Sequence, residues 1–258
     1  DEDTANLIED KIYIGEKKDS NTWVTGGFVI LSGQTVAVDS VQIMDKHNQQ
    51  YKNGQLVREY YGVLTGEDTT SCLQITGTGS SLGAGTYVWD GSDKWVLAAA
   101  SVTNSEGNSV SYVTIAEAIG AAEDGDTVTI LTDGSIASTI SIENDITLDL
   151  NGCTITNAVS DGNMILVKSG ANVTVMDSGK NGKISDNSTE TTIVAENGST
   201  LVIKSGTFYK DAVEGTILEA KGNLTVDGGL FEFESSVDDN RGYAIRVTYG
   251  AEAVINNV

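Results

Sequence analysis

One pattern recurs four times in the second half of this chain and limits what the chain can fold into. The copies cover residues 143–170, 171–198, 199–222 and 223–250. Their lengths are 28, 28, 24 and 28 residues, and each copy closes with a glycine. A period in this range is typical of a solenoid, because one copy is too small to bury its own apolar side chains and must stack on its neighbours. A fifth copy breaks off at Val258, so we expect the natural protein to continue.

Each copy contains three short strand-like segments. The first alternates apolar and polar residues, as at Ile146 and Leu148, which is typical of a strand with one buried face. A corner that contains glycine leads to a second segment near Ile155. The third segment contains an isoleucine in every copy, at Ile165, Ile193, Ile217 and Ile245. The pattern predicts a coil of three parallel sheets with the recurring Ile, Val and Leu inside.

The third copy departs from the pattern at one position. Two residues after the recurring isoleucine the other copies have Val167, Ala195 and Val247, whereas the third has Glu219 followed by Ala220. We expect a β-bulge that turns Glu219 outward. The alternative is a buried functional carboxylate.

Three runs of the repeat carry a family resemblance. They are ITLDLNGCTI at 146–155, GSTLVIKSGTF at 198–208 and LTVDGGLF at 224–231. They resemble right-handed parallel β-helix proteins of the pectate-lyase-like type, especially large secreted adhesin-like proteins of bacteria. The resemblance covers residues 112–258 and implies a right-handed coil. It implies no single activity, because this fold serves lyases, hydrolases, adhesins and passive stalks alike.

Residues 1–108 lack the repeat but are rich in strand-like segments. Their Gly, Asn and Asp turns and their lack of helical periodicity predict a small β-rich, sandwich-like domain. The turn at 90–93 predicts a hairpin from Tyr87 to Ala98. Residues 105–111 have the composition of a linker, which gives predicted domains at 1–108 and 112–258.

One helix is predicted at the start of the second domain. Thr114 and Glu117 form a capping box, and we expect Gly125 to end the helix. Its apolar face consists of Ile115, Ala118, Ile119 and Ala122. This face would cover the open end of the first coil, in which Val128 and Ile130 are matched to Ile146 and Leu148. The predicted fold is therefore all-β, a right-handed parallel β-helix with a short N-terminal capping helix, preceded by a small β-rich domain.

The charge of the chain restricts its partners. There are 37 acidic and 15 basic residues, for a net charge of −22. This balance argues against nucleic acid or an anionic membrane as a partner, and no apolar run is long enough to span a bilayer. Acidity also favours calcium, for which Asp124, Asp126 and Asp149 are weak ligand candidates beside glycine turns. No other cofactor is expected.

No strong catalytic constellation is visible in the sequence. Asp149 and Asp227 would lie about 14 Å apart on the first sheet, whereas a glycosidase pair must lie within about 10 Å. His47 is the single histidine and lies outside the repeats. The best remaining set consists of Asp238, Asp239, Arg241 and Arg246, for which the alternative is a solvated loop. We expect a non-catalytic protein.

The cysteines and the aromatic residues leave alternatives open. Cys72 and Cys153 either form a disulfide or remain free, with Cys153 as a small buried thiol. Exposed rings stack on sugars, and the ligand-binding candidates are Trp89, Trp95, Tyr209, Tyr243 and Tyr249. The alternative is that these rings belong to the core.

These observations and the resemblance together lead to one expected function and two alternatives. We expect an extracellular or cell-surface bacterial adhesin or scaffold that binds a glycan or a host or cell-surface protein through loops and aromatic residues. The first alternative is a polysaccharide lyase or glycoside hydrolase on the same fold. The second is a structural subunit of a surface layer or filament, which would self-associate through its coil ends.

Overall fold

The computed structural model describes residues 5–8, 11–14, 26–43, 50–52, 55–58, 62–77, 82–92, 94–234 and 241–256. The fold is all-β, as predicted, with about four turns of a β-solenoid and one short helix within those ranges. The chain divides into two compact units, residues 1–98 and 99–258.

The first unit consists of small sheets. Its strands are β1 (Ala5–Ile8), β2 (Lys11–Ile14), β3 (Gly26–Ile30), β4 (Thr35–Val38), β5 (Ser40–Ile43), β6 (Gln50–Lys52), β7 (Gln55–Arg58), β8 (Gly62–Gly66), β9 (Cys72–Ile75), β10 (Gly85–Trp89) and β11 (Trp95–Leu97). They pair in the orders β1-β2-β5, β11-β10-β9-β4, β3-β8 and β6-β7. The predicted hairpin is confirmed, because β10 and β11 are antiparallel with Trp89 opposite Trp95. Ile30, Leu64 and Leu73 lie in the core of this unit.

The second unit contains the helix and the solenoid. The helix α1 is Ile115–Ala121, and the strands are β12 (Ala100–Thr103), β13 (Ser109–Tyr112), β14 (Thr127–Ile130), β15 (Gly134–Ile136), β16 (Ile140–Ile142), β17 (Ile146–Asp149), β18 (Thr154–Asn157), β19 (Ile165–Val167), β20 (Asn172–Met176), β21 (Lys183–Asp186), β22 (Thr191–Ala195), β23 (Thr200–Ile203), β24 (Thr207–Asp211), β25 (Glu214–Ala220), β26 (Asn223–Val226), β27 (Leu230–Glu234), β28 (Arg241–Val247) and β29 (Ala253–Ile255).

The solenoid strands lie parallel to one another in three sheets, one from each segment of the repeat, and the first sheet also includes the antiparallel strands β12 and β13. The first sheet has the order β13-β12-β14-β17-β20-β23-β26-β29, the second β15-β18-β21-β24-β27 and the third β16-β19-β22-β25-β28. Within the first sheet Ile146 pairs with Val173, which pairs with Leu201. Each coil therefore places its apolar residues directly on those of the coil before it, and the core forms continuous ladders.

Two registers differ from the predicted ones. Val128 pairs with Leu148 rather than with Ile146, because a shift of two residues leaves the same side chains facing inward and alternation alone does not distinguish it. In the third sheet Leu218, not Ile217, pairs with Ile193 and Ile245.

The shift to Leu218 explains Glu219 without a bulge. Ala220 occupies the inward position opposite Ala195, and Glu219 falls on the outward position opposite Val194. The pairing runs at one constant offset from Glu214 to Ala220 against β28. The outward direction was predicted correctly and the bulge was wrong.

The helix covers the start of the solenoid. Thr114 and Glu117 form the predicted capping box, and Ile115, Ala118 and Ile119 are buried in the solenoid core. The helix ends at Ala121, earlier than predicted, because Ala122 is already extended with φ −72° and ψ 135°. Gly125, with φ +90°, lies in the turn that follows.

The predicted linker is instead part of a hairpin. β12 and β13 are antiparallel, and the turn between them contains Asn104, whose side chain accepts hydrogen bonds from the backbone N–H groups of Glu106 and Asn108. β12 also pairs with β14, so the hairpin extends the first sheet beyond the first coil. The linker prediction is wrong because the polar residues of a hairpin turn have the same composition as a linker.

We expect inward and outward neighbours on one strand to differ strongly in their effect on stability. Leu148 is fully buried, whereas Thr147 beside it is half-buried on the outer face. Leu148→Ala should lower the free energy of unfolding by about 2–5 kcal/mol. Thr147→Ala, the matched control, should change it by no more than about 0.5 kcal/mol. Urea denaturation followed by circular dichroism measures both, and equal effects would contradict this assignment of faces.

Candidate functional site

The two tryptophan candidates pack together in the first unit. The ring centroids of Trp89 and Trp95 are 5.4 Å apart at 62°, an edge-to-face contact. Trp89 is only 5% exposed, and the Nε1–H of Trp95 donates to the carbonyl of Leu64 at 3.0 Å. Burial and a satisfied indole N–H are typical of core aromatics.

The three tyrosine candidates lie at separate places on the solenoid. Tyr209 is on β24 of the second sheet, Tyr243 is on β28 of the third sheet, and Tyr249 follows β28 in the turn. Tyr243 is 56% exposed and Tyr249 is fully exposed. The structure therefore leaves two open rings near the last described coil but does not bring all three tyrosines together.

Tyr209 is engaged by charged neighbours. Its hydroxyl donates to Oε2 of Glu234 at 2.6 Å, and Nζ of Lys183 lies 3.8 Å from its ring centroid, a cation–π contact. The hydrogen bond to Glu234, with burial and nearby carboxylates, raises the pKa of Tyr209 to about 12. One face of the Tyr209 ring and its hydroxyl therefore already contact protein groups.

The calcium candidates accept hydrogen bonds from the protein. Asp149 accepts from the backbone N–H groups of Asn151 and Ser178 at 2.9 Å and from the Ser178 hydroxyl at 2.7 Å. Asp124 accepts from the N–H of Asp145 at 2.9 Å. Asp126 accepts from the N–H of Glu123 at 2.9 Å. In the described ranges no group of three or more His, Cys, Asp or Glu residues is placed to hold a metal ion.

Further aspartates tie one coil to the next. Asp177 accepts from the N–H groups of Gly152 and Gly182, each at 2.7 Å. Asp133 accepts from the N–H of Thr154 at 2.7 Å. Corner backbone groups that the sheets leave unpaired are satisfied in this way, so much of the acidity near the corners serves the fold.

Little of the predicted catalytic set lies in the described part of the chain. Asp238, Asp239 and His47 lie outside the described residues, as does the side chain of Arg241. The Nη1 atom of Arg246 is 3.9 Å from Oε1 of Glu219, and the Arg246 side chain is 56% exposed. The Glu219 side chain is only 13% exposed, but the contact is long and the guanidinium group is open to solvent, so this ion pair contributes little to stability.

Of the two alternatives for the cysteines, the structure shows the one without a disulfide. Cys72 is buried and Cys153 is half-buried, and neither forms a disulfide bond. Burial, followed by the charges of Asp133, Asp177 and Asp149, raises the pKa of the Cys153 thiol. The thiol form is therefore favoured, and Cys153 is a poor nucleophile.

The outward side of the first sheet carries a column of small side chains. Register pairing aligns Thr127, Thr147, Thr174, Val202 and Thr225. All five are β-branched, which suits a strand, and each lies one strand spacing, about 4.8 Å, from the next. The solenoid therefore presents one repeated polar and methyl-bearing face.

A buried polar ladder inside the second sheet was not predicted. Asn157, Asp186 and Lys210 occupy equivalent positions on the neighbouring strands β18, β21 and β24. The same position holds Ile136 on β15 and Phe233 on β27, the two edge strands of this sheet. Asn157 is 5% exposed, Asp186 1% and Lys210 0%. This ladder is the largest departure from an apolar interior in the described solenoid.

The ladder is held by hydrogen bonds. Nζ of Lys210 lies 2.7 Å from Oδ2 of Asp186, and the Thr192 hydroxyl donates to the same oxygen at 2.6 Å. The Oδ1 atom of Asp186 accepts from Nδ2 of Asn157 and from the N–H of Ser188, each at 2.8 Å. The carboxylate is fully coordinated by donors.

The buried carboxyl group stays ionised at neutral pH. Burial acts to raise the pKa of Asp186, but the hydrogen bonds from Lys210, Thr192, Ser188 and Asn157 outweigh it and lower the pKa below the ordinary value. Gly215 makes room for the cation, because a Cβ there would lie 2.6 Å from Cε of Lys210.

The sequence did contain a signal for this ladder. Ile155, Ile184 and Phe208 align as the inward residues of the second strand. The positions two residues later must also face inward, and they are Asn157, Asp186 and Lys210. Because these residues stand at the ends of their strands, their polar character is equally typical of the start of a loop.

Comparison with known proteins does not assign this chain to a family. No protein-family model, curated protein or solved structure matches this chain. Among the described residues, no helix is long and apolar enough to cross a membrane.

We expect removal of one partner of the buried pair to destabilise the solenoid. Asp186→Ala leaves the Lys210 ammonium buried without its counter-charge, which costs about 3–5 kcal/mol. The exposed pair provides the control, because Arg246→Ala should cost no more than about 1 kcal/mol. Chemical denaturation measures both variants, and equal costs would contradict the buried pair.

While Lys210 and Asp186 remain an ion pair, they should make stability depend on acid. The folded pKa of Asp186 lies below the unfolded value of 3.8, so its stabilisation is fully present above that value and is lost as the pH falls through the folded pKa. Asp186→Asn should flatten this part of the stability curve below pH 3.8 relative to the unmodified chain. An unchanged pH dependence would contradict the assignment.

The Tyr209 hydroxyl should titrate late. Its hydrogen bond to Glu234 favours the protonated phenol and gives a pKa of about 12. Burial and the charge of Asp126 also raise the pKa of Tyr112, so substitutions must identify which late phenolate in an ultraviolet titration belongs to Tyr209. Glu234→Gln should move that step toward the ordinary tyrosine value near 10. Tyr209→Phe should remove the step altogether.

Proposed function

We propose that this chain is a non-catalytic scaffold of a bacterial surface or secreted protein, and that its solenoid binds a glycan. The observation that carries the proposal is the exposure of Tyr243 and Tyr249, which keep open rings beside the last described coil. An exposed tyrosine combines an apolar face for stacking on a sugar with a hydroxyl for hydrogen bonding.

Two further features support a binding role over catalysis. The carboxylates of Asp149 and Asp177 are occupied by backbone and side-chain donors, so they serve coil stacking. The aligned column of four threonines and Val202 adds a regular outer face that suits an extended partner. The solenoid would then act by holding several weak contacts at fixed spacing.

The first experiment is a glycan array, run together with a lyase and hydrolase screen on acidic polysaccharides, with and without calcium. We expect binding without turnover. Turnover would overturn the proposal in favour of a lyase or hydrolase, and Arg241 and Arg246 would be the residues to replace. Absence of both binding and turnover would also overturn the glycan proposal and leave a protein partner as the ligand.

Binding should depend on the open rings. For a glycan found on the array, Tyr243→Ala and Tyr249→Ala should each weaken binding about three- to tenfold, the effect of losing one stacking contact. Tyr243→Phe keeps the ring and should retain most of the affinity. Tyr209→Phe is the control, because that hydroxyl is already bonded to Glu234. If all four variants bind the glycan as tightly as the unmodified chain does, the rings of Tyr243 and Tyr249 are not the binding site.

A further inference from the structure

The buried ladder brings an amine and a carboxyl group into direct contact. Nζ of Lys210 is 2.7 Å from Oδ2 of Asp186, and both side chains are 0% exposed. The two residues are register partners on adjacent strands of the second sheet, so the surrounding coils hold them in place. This contact is not used in the proposed binding function.

We propose that Lys210 and Asp186 condense to form an amide cross-link between adjacent coils of the solenoid. The geometry that points to it is the 2.7 Å contact, together with two donors on Oδ1 and a hydroxyl on Oδ2 of the same carboxyl group. The step needs only these two side chains and releases one water molecule.

The nucleophile forms by proton transfer within the pair. An ammonium ion has no free electron pair, so Lys210 must first pass a proton to Asp186 along their hydrogen bond. The hydrogen bonds that lower the pKa of Asp186 favour the ion pair, so the neutral amine and acid form only a minor state. Exclusion from solvent penalises both charges and makes that minor state less costly than it is in water. A desolvated lysine is a recognised route to a reactive amine.

The electrophile is prepared by the donors on Oδ1. The N–H of Ser188 and Nδ2 of Asn157 each lie 2.8 Å from that oxygen. When Nζ attacks Cγ of Asp186, negative charge develops on Oδ1, and these two donors stabilise it as an oxyanion hole does. The donors are already in position because the corner at Ser188 and the strand β18 hold them.

Thr192 can carry the second proton. Its Oγ1 lies 2.6 Å from Oδ2 of Asp186 and 3.5 Å from Nζ of Lys210. After attack, the nitrogen must lose another proton and Oδ2 must gain one before it leaves. The hydroxyl is within hydrogen-bond reach of both atoms and can accept a proton from the nitrogen while it donates its own to Oδ2.

The reaction balances as a condensation. The Nζ–Cγ bond forms and the Cγ–Oδ2 bond breaks, and Oδ2 departs as water with two protons that came from the Lys210 ammonium group. Oδ1 returns to a carbonyl, and the nitrogen keeps one hydrogen. Nothing is oxidised or reduced. The product replaces two buried charges with one neutral amide, which removes the desolvation penalty of both ions.

The mass of the folded chain tests whether the cross-link forms. Intact-mass measurement of the folded 258-residue chain should show the loss of one water molecule. Asp-Gly sequences such as Asp124-Gly125 also lose water by cyclising, so the position of the loss must be mapped. Tryptic digestion decides, because acylated Lys210 resists cleavage. Peptide 184–204, which contains Asp186, should be found joined to an uncleaved peptide 205–221.

Two variants separate the chemistry from the fold. Lys210→Arg keeps the positive charge but has no nucleophilic amine, so it should retain the full mass. Thr192→Val keeps the shape and removes the hydroxyl, so it should cross-link more slowly than the unmodified chain. Circular dichroism checks that each variant is folded. The intact-mass and peptide measurements on the unmodified chain do not depend on either variant.

Three results would overturn the proposal. One is an unchanged mass after prolonged incubation of the folded chain, which would mean that the pair remains an ion pair. Another is a loss of water that persists in Lys210→Arg, which would place the loss at an Asp-Gly sequence. The last is a loss of ammonia, with peptides joined through Asn157, which would make Asp186 the proton carrier and not the electrophile.

Discussion

The structure of the second unit depends on apolar side chains that stack from coil to coil. A single coil has three strands of three to seven residues and no second layer against which to bury them. Only the coil before and the coil after supply that layer, so Ile146, Val173 and Leu201 occupy equivalent positions on successive strands. The start of the stack must be covered for the same reason, and α1 covers it with Ile115, Ala118 and Ile119.

Stacking alone leaves the corners with unpaired backbone groups, and the acidic side chains satisfy many of them. Asp145 accepts from both the backbone and the side-chain amide of Asn172 one coil later, and Asp177 binds the N–H of Gly152 one coil earlier. Glycine is needed where corners approach closely, since a Cβ on Gly179 would overlap the backbone of Gly152. A net charge of −22 therefore reflects structural demands as well as surface chemistry.

The interior tolerates a charged pair because its geometry is complete. Asp186 has donors on both oxygens, and Lys210 reaches it through the space beside Gly215. Buried ions add little net stability when they are paired and cost much when they are not, so this ladder discriminates against wrong registers of the second sheet. It also gives the proposed cross-link its reactants, whereas the proposed glycan contacts at Tyr243 and Tyr249 lie on the outside of the next coil.

The sequence by itself determined the class of fold and the order of its parts. Period, alternation and the capping box are local patterns. They were enough to predict three sheets, an inward apolar ladder through Ile165, Ile193 and Ile245, and a helix that begins after Thr114. Composition was a weaker guide, since residues 105–111 have the composition of a linker but form a turn and a strand. Strand alternation was also insufficient for Trp89. It places the ring on one face of a strand but does not tell whether that face is buried, and in the structure Trp89 is buried.

Only the tertiary structure decided how the strands align and which polar groups meet. A shift of two residues at Val128 leaves the alternation unchanged, and Ile217 and Leu218 are equally apolar, so contacts with the neighbouring coils select the register. The meeting of Asn157, Asp186, Thr192 and Lys210 spans three coils. Residues this far apart become neighbours only through stacking, and their chemistry exists only after the chain has folded.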